Sequence, residues 1–295
     1  MSDYVEPAED LGEAWLRTLE LVHARGGRRV NVLTTISDPL APEDPAVRAA
    51  VDALLVPGSH KSGTIHSVQT VASTIFPQDL YQAPPVTWDP ALPEEQKRLL
   101  DQAADDLYAA YGGMLPLLRT ADGNSRGTYF GRMVSWPGKE AGGYNQLASR
   151  VRYLRIERRA GRRRHNLSDI AVGGEAEPPE ESLEDRPGSL QDVGVQVYAP
   201  TDERTRGFPC LVHIDLTLLD GRLSMLAVYR HQYLVTKAYG NLVGLARLLV
   251  FLAQQTGFEV GELAVQATMA DTQQSDFGGR KGIKALIHSA RSGGG

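Results

Sequence analysis

Residues 208–268 constrain this 295-residue chain more than any other stretch. Residues 211–219 alternate partly between apolar and polar, stop at Asp220-Gly221, and are answered by a second strand-like run at 222–229. Asp-Gly between two such runs is hairpin chemistry, because both turn positions must accept positive φ. Residues 241–255 form a long apolar helical run closed by Gly257, the residue that most readily adopts a left-handed C-terminal cap. Residues 263–268 return to strand character. Hairpin, long helix and further strand in this order predict an α+β fold, a mixed sheet with long helices packed against it.

The upstream half fits the same class. Residues 9–23 predict an amphipathic helix, with Leu11, Trp15, Leu19 and Val22 on one stripe. Residues 30–36 are short, apolar and β-branched, and predict a strand. Residues 44–55 predict a helix. Residues 64–75, rich in Thr, Val and Ile, predict a strand. Residues 94–111 predict a helix ended by Gly112-Gly113, and residues 146–159 a very basic helix. One domain over residues 1–292 is expected. Within it, residues 173–192 hold seven acidic residues and three prolines, too little apolar area to order a segment, so a mobile insertion loop is expected there. Regularity returns at 193–198, and the glycines at 293–295 read as a disordered tail.

Several function classes fall away. Cys210 is the only cysteine, so no intrachain disulfide and no multi-cysteine zinc site can form. The seven histidines make no ligand cluster; His60 and His66 lie six apart on an expected loop and strand, and no metal is expected. No Walker-type or GxGxxG loop is present. The first ten residues are acidic and polar, unlike a secretion signal. The longest uninterrupted apolar stretch, 248–253, is far short of the ~20 residues of a membrane helix, so a cytoplasmic protein without a membrane is expected. A net charge of −5 creates no global attraction to nucleic acid. Eight arginines crowd residues 150–164, several at helical spacing. They read as a solvated helix face contributing to a phosphate site, ahead of a nucleic-acid surface, since few aromatics interleave them.

Cys210 opens the first strand of the hairpin behind Pro209. Asp220-Gly221 follows ten residues on, Arg230 twenty and Asn241 thirty-one. This spacing resembles thymidylate synthase, whose Pro-Cys nucleophile, Asp-Gly hairpin, Arg and Asn fall at the same intervals. Residues 253–257 and Val260-Gly261-Glu262-Leu263 resemble the family's helix end and Gly-Glu turn. Upstream, Lys61-Ser62-Gly63-Thr64 resembles its phosphate loop, with Lys61 in place of an Arg. Asn145-Gln146-Leu147 resembles a helix start that is followed by an Arg pair; Arg162-Arg163 or Arg163-Arg164 is the counterpart. Residues 127–132 resemble its Tyr-Gly-Lys/Arg segment.

The resemblance implies a thiolate at Cys210 that adds to C6 of a pyrimidine and activates C5 toward a one-carbon unit, chemistry helped by a nearby cation. It implies phosphate contacts from Arg230, Arg162, Arg163 and Lys61, and a base-edge contact from Asn241 that suits uracil; a helix cap is the plainer role for Asn241. His231 is a further candidate for a phosphate contact or proton transfer. It also implies 5,10-methylenetetrahydrofolate as donor, a pyrimidine nucleoside monophosphate as substrate, and a homodimer. Departures accompany it. Phe130 stands where the family has a Tyr, leaving Tyr129 to relay a proton, and residues 269–273 lack the family's ribose-binding His and Tyr. The expected activity is therefore C5 methyl or hydroxymethyl transfer by a relative outside housekeeping thymidylate synthesis. The alternative is a catalytically silent relative that binds nucleotide or nucleic acid through the basic helix.

Overall fold

The structure is a computed structural model that describes residues 3–42, 44–55, 65–121, 124, 127–136, 141–160, 195–196 and 210–292. Its elements run β1 (Asp3–Tyr4), α1 (Leu11–Ala24), β2 (Arg28–Ile36), α2 (Pro45–Leu54), α3 (Val68–Ile75), α4 (Glu94–Leu118), α5 (Tyr129–Val134) and α6 (Gln146–Ala160). They continue with β3 (Val195–Gln196), β4 (Leu211–Leu219), β5 (Arg222–Tyr229), β6 (Gln232–Tyr233), α7 (Tyr239–Thr256), β7 (Glu259–Asp271) and α8 (Gly279–Ser292).

The seven strands form one mixed sheet in the order β1-β2-β7-β5-β4-β3, with β6 also pairing β7. The β4–β5 hairpin is antiparallel and turns at Asp220 (φ +51°) and Gly221 (φ +82°), the left-handed pair that Asp-Gly supplies. β5 and β7 are parallel, so the chain must cross over between them, and α7 makes the crossing. Alternate strand residues are buried on one face: Val32, Thr34 and Ile36 of β2, Met225 and Ala227 of β5, Leu263 and Val265 of β7. α1 and α7 pack there and form the core. This is the expected α+β class.

Two expectations change, and two further features come with the structure. Residues 68–75 are helix, not strand: Val68, Val71, Ala72 and Ile75 are buried at helical spacing, and the Ser67 hydroxyl caps the helix by accepting from Thr70 N at 3.1 Å. The packing partner decides the matter. α3 lies so close on α7 that a Cβ at Gly240 would come within 2.6 Å of Val71 Cβ, and one at Gly244 within 2.7 Å of the Ala72 carbonyl oxygen. Gly112-Gly113 does not end α4, because the buried face of Leu100, Ala104, Leu107 and Tyr111 continues to Leu115. That burial outweighs the ~1 kcal/mol per glycine lost in helix propensity. α8 is an additional amphipathic helix, burying Ile283, Leu286 and Ala290 and packed on α1 and α2. Finally, the helical run 234–256 is long and apolar enough to cross a membrane by length and composition, yet 78% of its apolar window is buried inside the protein. It is the core helix of the fold. The insertion at 173–192 and the tail at 293–295 lie outside the described residues.

Candidate active site

Three elements meet at Cys210. α5 begins at Tyr129, capped by Thr128, whose hydroxyl accepts from Gly131 N at 3.1 Å and is itself bonded to the Tyr111 hydroxyl. This first turn sends adjacent aromatics in different directions. Phe130, fully buried, packs edge-on against Tyr111 and Phe76. Tyr129 turns to the hairpin, where its hydroxyl oxygen accepts from Cys210 N at 3.3 Å and Leu211 N at 3.4 Å. From the other side, Arg230 N donates to the Cys210 carbonyl at 2.8 Å. The half-buried Cys210 is thus held through both its backbone groups at the head of β4, beside an irregularity in the β4–β5 register between Leu211 and His213.

Burial pushes the Cys210 thiol above its ordinary pKa, while the positive charges of Arg230 and Lys237 pull it back down. The Tyr129 phenol is pushed up to about 12, first by burial and then by the charge that Cys210 would carry. Tyr229, the residue before Arg230, is fully buried, and its hydroxyl has no hydrogen-bond partner among the described residues. Its pKa lies well above the ordinary value because of burial and its proximity to Tyr129 and Cys210. Lys237 and Tyr229 belong to no motif in the sequence. Lys237 stands seven residues after Arg230 with no spacing to mark it, and Tyr229 reads as one more inward residue of a strand.

The remaining candidates separate. Asn241 is 4% exposed in the first turn of α7 and does not cap it; Ala238 holds the cap position. It follows Lys237 by four residues, about one helical turn. His231 sits next to Asp271 and Tyr233. Its Nε2 lies 4.0 Å from Asp271 Oδ2, its ring lies against Tyr233 at 4.4 Å between centroids, and Asp271 accepts from Arg28 Nε at 2.7 Å. Lys61, Arg162 and Arg163 lie outside the described residues. No cluster of three or more His, Cys, Asp or Glu residues suited to a metal occurs among the described residues.

The basic helix α6 is drawn into the fold. Arg155 donates through Nε to the Gln255 carbonyl at 2.7 Å and through Nη2 to Gln255 Oε1 at 2.8 Å, and pairs with Asp101 at 2.5 Å. Arg155 and Arg159 lie over the Trp88 ring at 5.3 and 5.5 Å, and Arg158 over Phe258 at 5.5 Å. Internal acceptors take up the Arg155 guanidinium, whereas Arg158 and Arg159 stay exposed and make one ring contact each.

The site is therefore a half-buried thiol on the mixed sheet of an α+β fold, with two cations and two phenols near the sulfur. No family model matches the chain. It is similar to proteins named "Putative thymidylate synthase". That of Methanothermobacter thermautotrophicus is 31% identical over 78 residues, 26% of this chain and 35% of that protein. That of Methanosarcina acetivorans is 26% identical over 97 residues, 33% of this chain and 45% of that protein. The chain thus spans less than half the length of these relatives, and the similarity supports a partial, thymidylate synthase-like relationship. The crystal structure of thymidylate synthase from T4 phage aligns with 46% of this chain and 39% of its own, at 15% identity and a TM-score of 0.31.

Proposed function

We propose that this protein transfers a one-carbon unit, methyl or hydroxymethyl, to C5 of a pyrimidine nucleoside monophosphate through a Cys210 thiolate that adds to C6. The observation that carries the reading is the double anchoring of Cys210, by the Tyr129 hydroxyl at its N–H and by Arg230 N–H at its carbonyl, with cationic side chains close enough to favour the thiolate. A pyrimidine C5 is a weak nucleophile; addition of sulfur at C6 moves electron density onto C5 and, in a uracil, the exocyclic oxygen on C4; once C5 has bonded the one-carbon unit, loss of the C5 proton re-forms the C5–C6 double bond and expels the Cys210 thiolate from C6. In this reading Arg230 offers a planar fork to the phosphate, joined by Lys61, Arg162 and Arg163. Asn241 meets the base edge, His231 beside Arg230 offers a further phosphate contact or proton transfer, and Tyr129 relays the C5 proton as a phenol that stays protonated at neutral pH.

The donor that the resemblance implies is 5,10-methylenetetrahydrofolate. Trp88 is 1% exposed and lies beneath Arg155 and Arg159, so its ring is not open to a folate, and no step is derived through the folate. Pairing of two copies suits the sheet face turned away from α1 and α7, where Leu33, Leu226, Val228 and Ala264 are only half-buried. Sedimentation equilibrium giving twice the chain mass is the expected result.

The direct test is tritium release from C5-labelled UMP, dUMP, CMP and dCMP, with and without methylenetetrahydrofolate, beside Cys210→Ala. Release that vanishes in the variant is expected, and the preferred nucleotide names the sugar and base. No release from any of the four refutes the transferase reading. Equal nucleotide affinity in wild type and variant then supports the second reading, a silent nucleotide-binding relative, which the burial-raised thiol favours. The internal acceptors of Arg155 remove one cation of α6 from a nucleic-acid surface.

A further inference from the structure

We infer that Lys237 is the group that ionises Cys210. Its ammonium stabilises the thiolate: the S–H bond breaks, the proton leaves to solvent, and the negative charge on Sγ is balanced as a thiolate–ammonium pair. This deepens the reading of Cys210 as a nucleophile and rests on it.

The placement of Lys237 carries the inference. Residues Leu234–Ala238 form the one π-helical turn among the described residues, inserted where the chain leaves β6 and enters α7. Such wide turns are rare and concentrate at functional sites. This one is pinned on both sides of Lys237. The Leu234 carbonyl accepts from Trp15 Nε1 at 2.8 Å, and Thr236 donates through N and Oγ1 to Gln273 Oε1 at 3.1 and 2.9 Å. Gln273 adopts a left-handed φ of +54°, unusual for a side chain of this size. The half-buried Lys237 is thus fixed beyond the ends of β5 and β6, the same end of the sheet at which Arg230 N–H closes on Cys210.

A second observation points the same way. The Tyr229 hydroxyl, buried and without a hydrogen-bond partner among the described residues, is a donor that is costly to leave unbonded. It lies near the same sulfur, and a thiolate there is a far better acceptor than a thiol. The resting structure therefore holds donors in place for a charge that has yet to form. Electrostatics agree. Burial raises the thiol and lowers the Lys237 amine, bringing their proton affinities together, and each group favours the charged form of the other. The groups facing the sulfur are Tyr129 from α5, Tyr229 and Arg230 from the β5 end, and Lys237. His66, ahead of α3, feels Lys237 in turn, its pKa lowered by partial burial and then by that charge.

The single cysteine makes the test direct. Alkylation of Cys210 by iodoacetamide from pH 6 to pH 10 reports the thiolate fraction in wild type, Lys237→Met and Lys237→Arg, with thermal melts to verify folding. Lys237→Met is expected to raise the midpoint by about one pH unit or more and to slow alkylation at pH 7 about tenfold. Lys237→Arg, which keeps the charge, is expected to hold the midpoint near that of wild type. An unmoved midpoint in a folded Lys237→Met overturns the inference. Should that variant not fold, wild type gives the reciprocal reading. Capping Cys210 with methyl methanethiosulfonate is expected to lower the pH at which Lys237 becomes reactive to acetic anhydride, located by peptide mass spectrometry, and no change overturns the inference. A shifted alkylation profile in a protein that releases no tritium leaves the thiol–amine pair standing and removes the transferase reading alone.

Discussion

The cations of α6 and those around Cys210 carry the same charge in different company. Arg155 spends its guanidinium on the Gln255 carbonyl and amide, on Asp101 and on the face of Trp88. Gln255, fully buried, passes the contact on to the Tyr81 hydroxyl and the Leu100 carbonyl. Around Cys210 the opposite holds: Lys237 lies near a thiol rather than a carboxylate, and a buried phenol beside it lacks a hydrogen-bond partner among the described residues. One arginine of a dense run thus braces a helix against the core, while one lysine without a motif sits where chemistry is prepared. Charge density along a sequence counts for less than whether each charge has already found its partner inside the fold.

Stability measurements can break this contrast. Arg155→Ala strips a buried carbonyl and amide of their donor and should cost about 3 kcal/mol in urea unfolding. Cys210→Ala should change stability by less than about 1 kcal/mol. A loss at Arg155 no larger than that at Cys210 would erase the distinction between bracing and chemical cations.

A pH titration sharpens it next. His213, three residues beyond Cys210, is pushed down to about 4 by burial, and both its ring nitrogens lack partners among the described residues. The folded state therefore keeps the ring neutral, whereas the unfolded chain takes up a proton near the usual 6.5. Stability is full above about pH 6.5 and falls as pH drops toward 4, by on the order of 2 kcal/mol for a half-buried ring. His213→Leu should flatten that slope, and an unchanged slope assigns it to another group.

Tyr129→Phe removes the acceptor of two long hydrogen bonds and should cost about 1 kcal/mol, with a larger fall in tritium release than in stability. Smallest of all, Arg158→Ala breaks only a 4.0 Å pairing with Asp89 and a ring contact at the surface. It should change stability by about 0.5 kcal/mol or less and leave nucleic-acid retention on a heparin column unaltered. A marked loss of retention would return α6 to the role of a binding surface.

Local chemistry made much of the fold legible. The Asp220-Gly221 turn, the strands beside it and the glycine-closed α7 follow from short-range rules that tertiary contacts did not overturn. α3 was not legible from its Thr, Val and Ile content, because its helical state depends on two glycines of α7 some 170 residues away. The end of α4 was misread because Gly112-Gly113 is a stop only where no buried face continues beyond it. At the site, the intervals from Cys210 to Arg230 and Asn241 could be read directly. The π-turn that presents Lys237 and the orphan hydroxyl of Tyr229 could not, since neither leaves a pattern in the sequence; an unpaired donor exists only once the surroundings are built.

β7 has a consequence for how the molecule comes into being. Its thirteen residues are the only link joining β2 to β5, with Arg28 opposite Asp271 across 243 positions of chain. During synthesis the β4–β5 hairpin and α7 leave the ribosome first, yet their sheet lacks its middle strand until residue 271 follows. Contacts of such long range form late and slowly. A nascent chain halted before β7 would therefore leave one hydrogen-bonding edge each of β2 and β5 unpaired, and chaperone engagement should peak there and drop once β7 has emerged.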